Sequence, residues 1–322
     1  MSDLTRIGAV VIGRNEGARL GESLAALRAQ SVPIVYVDSG STDASVSLAL
    51  EAGAEVVALD ASFPFTAARA RNAGLARLTE LRPAVEKVQF VDGDCVLETN
   101  WLGNAAAFLD GRDDVAVVTG RLTEQHRDAS IYNALCALEW ERPVGEIPAC
   151  GGIFMARVEA ITEVGGFRDD LKAGEEGELC LRLRQKEWKI WSLDAPMASH
   201  DAAMTRFSQW WQRARRAGFA YAEGAAMHGN SPERHCVRDC RRIWFWGLIL
   251  PLAAIVPAWW TRGWSLLLLS GYALLAARIY ITGRRRNWTP RDARTYALFT
   301  VLAKGPGLLG MLEYHLQRFR RR

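Results

Sequence analysis

Acidic side chains are scarce in the last third of this chain. Residues 205–322 hold 20 lysines and arginines against 5 aspartates and glutamates, about +15. Residues 1–204 hold 20 against 31, about −11, so the net charge of +4 conceals a division. A segment so basic asks for an anionic partner, either nucleic acid or a membrane surface. Cysteine is sparse as well: Cys95, Cys136, Cys150, Cys180, Cys236 and Cys240 are the six in 322 residues. None forms a CxxC pair, and Cys236 and Cys240 have only His235 beside them, which excludes zinc-finger spacing. Such usage reads as reduced thiols. The N-terminus MSDLTRIGAVVIGRNEG lacks an apolar run long enough for a leader peptide, so the N-terminal part is expected to begin in the cytoplasm. With 49% hydrophobic and 24% charged residues, neither a disordered nor a fibrous chain fits.

What is present in the first half is alternation. IGAVVIG (7–13), PIVYVDSG (33–40), AEVVALD (54–60) and KVQFVDGD (87–94) read as strands. Between them, EGARLGESLAALRAQ (16–30), STDASVSLALEAG (41–53) and FTAARARNAGLARLTE (65–80) read as helices, the first on Leu20, Leu24 and Leu27. That order predicts an α/β fold, a parallel sheet with helices on its faces, and ligands beyond the carboxyl ends of the strands. Polar residues gather where strands end: Asn15 and Glu16 after the first, Asp38 and Ser39 after the second, Asp92 and Asp94 after the fourth. Each group alone suits a helix cap. Together they predict a site along one edge.

Long apolar runs are confined to the basic third. IWFWGLILPLAAIVPAWW (243–260) carries no charge, and SLLLLSGYALLA (265–276) continues to Ile281 with one arginine. Each approaches the roughly 20 residues that cross a bilayer. Arg238, Arg241 and Arg242 precede the first run and Arg284, Arg285 and Arg286 follow the second, which predicts a hairpin of helices with both flanks in the cytoplasm. Trp244, Trp246, Trp259, Trp260 and Trp264 stand near the ends, as interfacial aromatics do. Residues 295–319 are apolar but interrupted by Lys304, Gly305, Pro306 and Gly307, and read as an interfacial or re-entrant amphipathic piece. The alternative is a buried helical core. Because these arginines flank apolar runs, an anionic membrane replaces nucleic acid as the expected partner. The expected boundaries are 1–204 for the α/β domain, 205–242 for a basic amphipathic linker and 243–322 for the membrane region.

The stretches VVIGRNEG, YVDSGSTDAS, ARNAG, FVDGDCVL, GGIFMARVEAITEVGGF and GEEGELCLRLR occur in an order that resembles the inverting family 2 glycosyltransferases. The resemblance covers about residues 5–220, and the apolar tail is similar to that of membrane-associated bacterial members. It implies the GT-A fold, a Rossmann-like sheet that binds a nucleotide-sugar with helices on both faces, here followed by membrane-associated helices. It implies Mg²⁺ or Mn²⁺, with Asp92-Gly93-Asp94 as the DxD motif: Asp94 the main ligand, Asp92 nearer the ribose. By the same resemblance Asn15, Glu16 and Asp38 hold base and ribose. Arg69, Arg71 and Asn72 lie near the diphosphate, the alternative for the arginines being a solvated helix face. Gly151, Gly152 and Glu178 belong to the acceptor and sugar pocket.

An inverting transfer needs a carboxylate to take the acceptor's hydroxyl proton. The family has Glu-Asp where this chain has Glu175-Glu176, so Glu176 is the expected base, with Glu175 and Glu178 as alternatives. All three also suit the dipole of a helix first turn. His200 is either a metal ligand or structural. The expected activity is metal-dependent transfer of a sugar from a nucleotide-sugar donor to a lipid-linked or glycan acceptor, at an inner membrane, with the catalytic domain cytoplasmic. Its rivals are a sugar nucleotidyltransferase, disfavoured by Asn15-Glu16 in place of a glycine-rich phosphate loop, and an inactive membrane scaffold.

Overall fold

The structure, a computed structural model, describes residues 4–320. The chain divides into two compact units, residues 1–126 with 139–202 and residues 127–138 with 203–322.

The first unit opens with strands Ile7–Gly13 (β1), Ile34–Asp38 (β2) and Glu55–Ala58 (β3), alternating with helices Ala18–Arg28 (α1), Ser45–Glu51 (α2) and Ala67–Leu81 (α3). Next come Lys87–Asp92 (β4), Cys95–Leu97 (β5), Trp101–Asp110 (α4) and Val115–Glu124 (β6). Helix Ile131–Trp140 (α5) begins in the second unit. The first unit closes with Gly145–Glu146 (β7), Phe154–Arg157 (β8), Val158–Glu163 (α6), Glu175–Gln185 (α7) and Lys189–His200 (β9). All form one sheet in the order β3-β2-β1-β4-β8-β6-β9-β5, with β7 on β9.

The first four strands are parallel, as their alternation with helices predicts. The sheet is mixed beyond them, because β8 runs antiparallel between β4 and β6. Strand β1 is covered on both faces: Ile7, Ala9 and Val11 join one core with Leu20, Leu24, Leu27 and Trp101, while Val10 and Ile12 join the other with Leu78, Phe154 and Leu179. The period of two explains why such a strand reads as a continuous apolar run. Thr66 caps α3 by accepting the Arg69 N–H. One turn beyond Arg71, Gly74 lets α3 press on the sheet: a Cβ there would overlap Val10 and stand 2.9 Å from Val37.

The second unit is helical: the start of α5, then Phe207–His228 (α8), Val237–Trp244 (α9), Leu250–Ile255 (α10), Ser270–Arg285 (α11), Pro290–Leu302 (α12) and Lys304–Arg320 (α13). A π-helical turn, Phe245–Ile249, joins α9 to α10 just before Pro251. Proline brings no N–H to that turn, and the Trp246 carbonyl within it accepts the Tyr272 hydroxyl from α11. Helices α8 and α13 approach closely at glycines, where a Cβ on Gly218 would overlap the Gly307 carbonyl. Arg215, on the amphipathic face of α8, pairs with Glu313 at 2.8 Å.

Among the described residues, three helices are long and apolar enough to cross a membrane: Val237–Ala258, Trp264–Arg285 and Pro290–Arg320. Only 17%, 6% and 33% of their apolar windows are buried, which a buried helical core does not allow. The segment expected to be interfacial or re-entrant is helical over 31 residues; α12 passes to α13 at Ala303, and Gly305 and Pro306 lie in the first turn of α13.

Replacing Gly74 by valine is expected to cost about 1–3 kcal/mol through overpacking, seen as a lowered thermal midpoint of the detergent-solubilised protein.

Candidate active site at the carboxyl ends of the strands

Register sets the site. Gly13 pairs with Asp38, and Ile12 with Asp92, so β1, β2 and β4 end together. Strand β5 pairs Cys95 with His200, and β6 pairs Glu124 with the same histidine. His200 is the last residue of β9, and pairing carries it beside Asp94.

Arg71 lies at the centre and is almost fully buried. Its Nη1 is 2.8 Å from Glu175 Oε1 and 3.0 Å from Glu176 Oε1, and its Nη2 is 3.0 Å from Asp92 Oδ1. Burial works against its charge, but Glu176, Asp92 and Glu175 outweigh it and raise its pKa. Burial raises the Glu175 pKa, helped by Glu176 and opposed by Arg71. Burial also raises that of Asp92, opposed by Arg71. A Cβ on Gly152 would overlap Asp92 Oδ2 and stand 3.0 Å from Arg71 Nη2. A Cβ on Gly151 would instead stand 2.8 Å from Arg142 Nη2.

Around Asp94 the charge is in excess. Glu16, held by Arg19 at 2.7 Å, has its pKa raised by burial and then by Asp94. His200 Nε2 stands 3.4 Å from Asp94 Oδ2, too long for a good hydrogen bond. Its Nδ1 is buried without a hydrogen-bond partner among the described residues, 3.7 Å from Glu124 Oε2. Asp94, Cys95 and His200 each bring a donor atom within 4.8 Å of the others. The Cys95 thiol donates to Asp94 and its pKa is pushed well up, first by burial and then by Asp94. It stays a thiol, so the donors left are carboxylate and imidazole, which suit Mg²⁺ or Mn²⁺ better than a thiophilic ion. The residues fit a divalent cation.

A cavity of about 120 Å³ opens beside this cluster, lined among others by Asp92, Trp140, Arg142, Gly151, Gly152 and His200. The edge of the Trp140 ring meets His200, centroids 4.6 Å apart. Glu124, Cys95, Trp140 and Arg142 were not singled out in the sequence. The strand pattern of VAVVTGRLTE (115–124) carried a signal for Glu124, and nothing local marks the other three.

Four expected site residues are engaged elsewhere. Glu178 is buried against Arg182, Oε2 to Nη2 2.7 Å, and that arginine also donates to the Gly166 carbonyl. Arg69 donates to the carbonyls of Asp60, Phe63 and Pro64, so it braces a loop instead of facing a diphosphate. Asn72 is bonded to Phe167 and Asp169. Asp38 is buried and accepts from the Tyr36 hydroxyl and the N–H groups of Gly40 and Ser41. Asn15, in the left-handed region at φ 57°, accepts the Thr42 N–H and ties the loops after β1 and β2.

Residues 9–165 match the family described as glycosyl transferase family 2. No curated protein matches the sequence. Solved structures share the fold. The mannosyltransferase PcManGT from Pyrobaculum calidifontis, in complex with GDP-Man and Mn²⁺, superposes with a TM-score of 0.58 at 19% identity, over 97% of this chain and 89% of that one. S. aureus TarS 1-349 gives 0.52 at 15% identity, over 92% and 90%. Glucosyl-3-phosphoglycerate synthase from Mycobacterium tuberculosis, in complex with Mn²⁺ and UDP-glucose, gives 0.50 at 17%, over 68% and 78%. With the mixed sheet and the strand-end carboxylates already in place, residues 9–165 form a glycosyl transferase family 2 domain, that of a glycosyltransferase, on a GT-A fold.

Proposed function

We propose that the protein is a metal-dependent inverting glycosyltransferase that moves a sugar from a nucleotide-diphosphate sugar to a lipid-linked or membrane-proximal glycan. The observation that carries this reading is the meeting of Asp92, Asp94, Arg71, Glu176 and His200 at the carboxyl end of β4. Bound GDP-Man with Mn²⁺ in PcManGT, and UDP-glucose with Mn²⁺ in the mycobacterial synthase, support the donor class.

Asp94 and His200 would hold the Mg²⁺ or Mn²⁺, with Asp92 close by. When bound, the cation supplies positive charge against the departing diphosphate. Asp92, fixed by Arg71 and by the absence of a side chain at Gly152, faces the donor. Asn15, Glu16 and Asp38 shape the edge that receives the nucleoside, Asp38 by holding the turn at Gly40 and Ser41. Glu176 is the more exposed of the two α7 carboxylates, 17% against 8% for Glu175. It takes the acceptor's hydroxyl proton while that oxygen bonds to the anomeric carbon. The bond to the diphosphate breaks on the opposite side, and the nucleoside diphosphate leaves. One displacement inverts the centre. Glu175 and Arg71 position Glu176, since the guanidinium is divided among three carboxylates and neutralises none of them fully.

The transferase domain is assigned to residues 1–204, a basic interface region to 205–242 and a membrane region to 243–322. Three apolar helices with arginine flanks support an inner-membrane location with the transferase domain cytoplasmic.

Full-length protein in detergent is expected to bind one class of UDP-, GDP- or dTDP-sugar with Mn²⁺ or Mg²⁺, and to lose it with EDTA or in Asp94→Ala. Folded protein that binds none would overturn the reading. Glu176→Gln is expected to lower kcat by about 10²- to 10⁴-fold with donor affinity kept. Glu178→Gln should instead spare kcat and lower the thermal midpoint, removing about 1.5–3 kcal/mol of charged hydrogen bonding. Gly152→Ala is expected to reduce kcat/KM by about 10²-fold, the cost of displacing a reacting group by about 1 Å.

A further inference from the structure

A cavity of about 430 Å³ lies among the helices of the second unit. Four cations line it: Arg242, Arg278, Arg286 and Lys304. No carboxylate is among its lining residues, and none of the four is in an ion pair among the described residues. Asp239 lies near enough to act on Lys304, alongside the repulsion from Arg242. One carboxylate against four cations leaves a positive excess, so the cavity is complementary to a ligand carrying more than one negative charge.

Its other walls are apolar and aromatic, with Trp246, Leu275, Ile279 and Trp288. Leu275, Ile279, Thr282 and Arg286 share one stripe of α11 at helical spacing. At 1.5 Å per residue the stripe runs about 16 Å from an apolar end to a cationic end. A soluble anion would leave the apolar end unused.

The cations also stand at a particular level. Arg242 is near the start of the apolar helix Val237–Ala258, Arg278 is in the last third of Trp264–Arg285, and Arg286 directly follows it. Large apolar side chains of the same helices, Ile249, Leu274 and Ile281, are 53%, 71% and 50% exposed. A second cavity of about 380 Å³ shares Arg242 and Trp246 and adds Arg234, Arg238 and Arg241. Cations at the ends of lipid-facing helices lie where phosphate head groups lie.

We propose that this cavity binds an amphiphile with a terminal phosphate or pyrophosphate head, held by Arg242, Arg278, Arg286 and Lys304, whose single apolar chain passes Ile279 and Leu275. A terminal phosphate carries the multiple charge that four cations ask for, whereas the phosphodiester of a common two-chain phospholipid carries one. The inference rests on the membrane reading of the second unit and not on the transfer reaction, so its test uses neither donor nor metal.

Full-length protein in dodecyl maltoside would be titrated with radiolabelled geranylgeranyl phosphate. Saturable binding is expected, weakened about tenfold in Arg278→Gln and again in Arg278→Gln/Lys304→Gln, since one charged contact carries about that factor. Unchanged elution on gel filtration and an unchanged melting curve establish that the variants are folded. Geranylgeraniol, inorganic phosphate and phosphatidylglycerol are each expected to compete at least tenfold more weakly than unlabelled geranylgeranyl phosphate. Equal competition by the alcohol would leave only apolar binding, equal competition by phosphate an anion site, and equal competition by phosphatidylglycerol a general acidic-lipid site. Each of these overturns the proposal, as does wild-type affinity in the double variant.

Discussion

A buried guanidinium holds the catalytic unit together. Arg71 has no solvent to turn to, and a lone charge in that position costs several kcal/mol unless it is paired. Its partners come from two distant parts of the chain, Asp92 at the end of β4 and Glu175 with Glu176 at the start of α7. One side chain on α3 therefore sets the relation of strand to helix. The close approach at Gly74 seats α3 deeply enough for this, and the missing side chain at Gly152 leaves Asp92 room to meet it. Asp94 follows Asp92 by two residues, so what fixes one places the other opposite His200.

Much of this was legible in the sequence. Alternating strands and helices gave the parallel half of the sheet, and the acids at strand ends gave its functional edge. The antiparallel entry of β8 was not legible, because no local pattern states which strand a segment will pair with. For the same reason Glu124 and Trp140 were missed, since both reach His200 through pairings or packing remote in sequence. The two arginines of ARARN are a different case. Residues two apart on a helix face away from each other, so Arg69 and Arg71 were never able to share a target; one turns outward to loop carbonyls and the other inward to carboxylates. Glu178 was drawn into the acidic first turn by composition, while its Arg182 partner, four residues on, was visible as an ordinary helical pair.

The second unit is built differently. Its apolar helices leave most of their side chains uncovered, and its charged residues gather toward helix ends. The basic excess of the last third is thus found in two places, at the flanks of the apolar helices and around a cavity whose lining holds no carboxylate.

The proline in the first of those helices has a consequence for how the protein is made. Pro251 deprives the preceding turn of a donor, and the hydroxyl of Tyr272 supplies one to the Trp246 carbonyl from the next helix. In hydrocarbon an unmet carbonyl is costly. The first helix is therefore incomplete as a solitary bilayer segment, and its partner completes it. On the membrane reading, insertion is expected to treat the two as one hairpin entering together, with the short connection TRGW leading the way across and Trp264 arriving at the far face with Trp259 and Trp260.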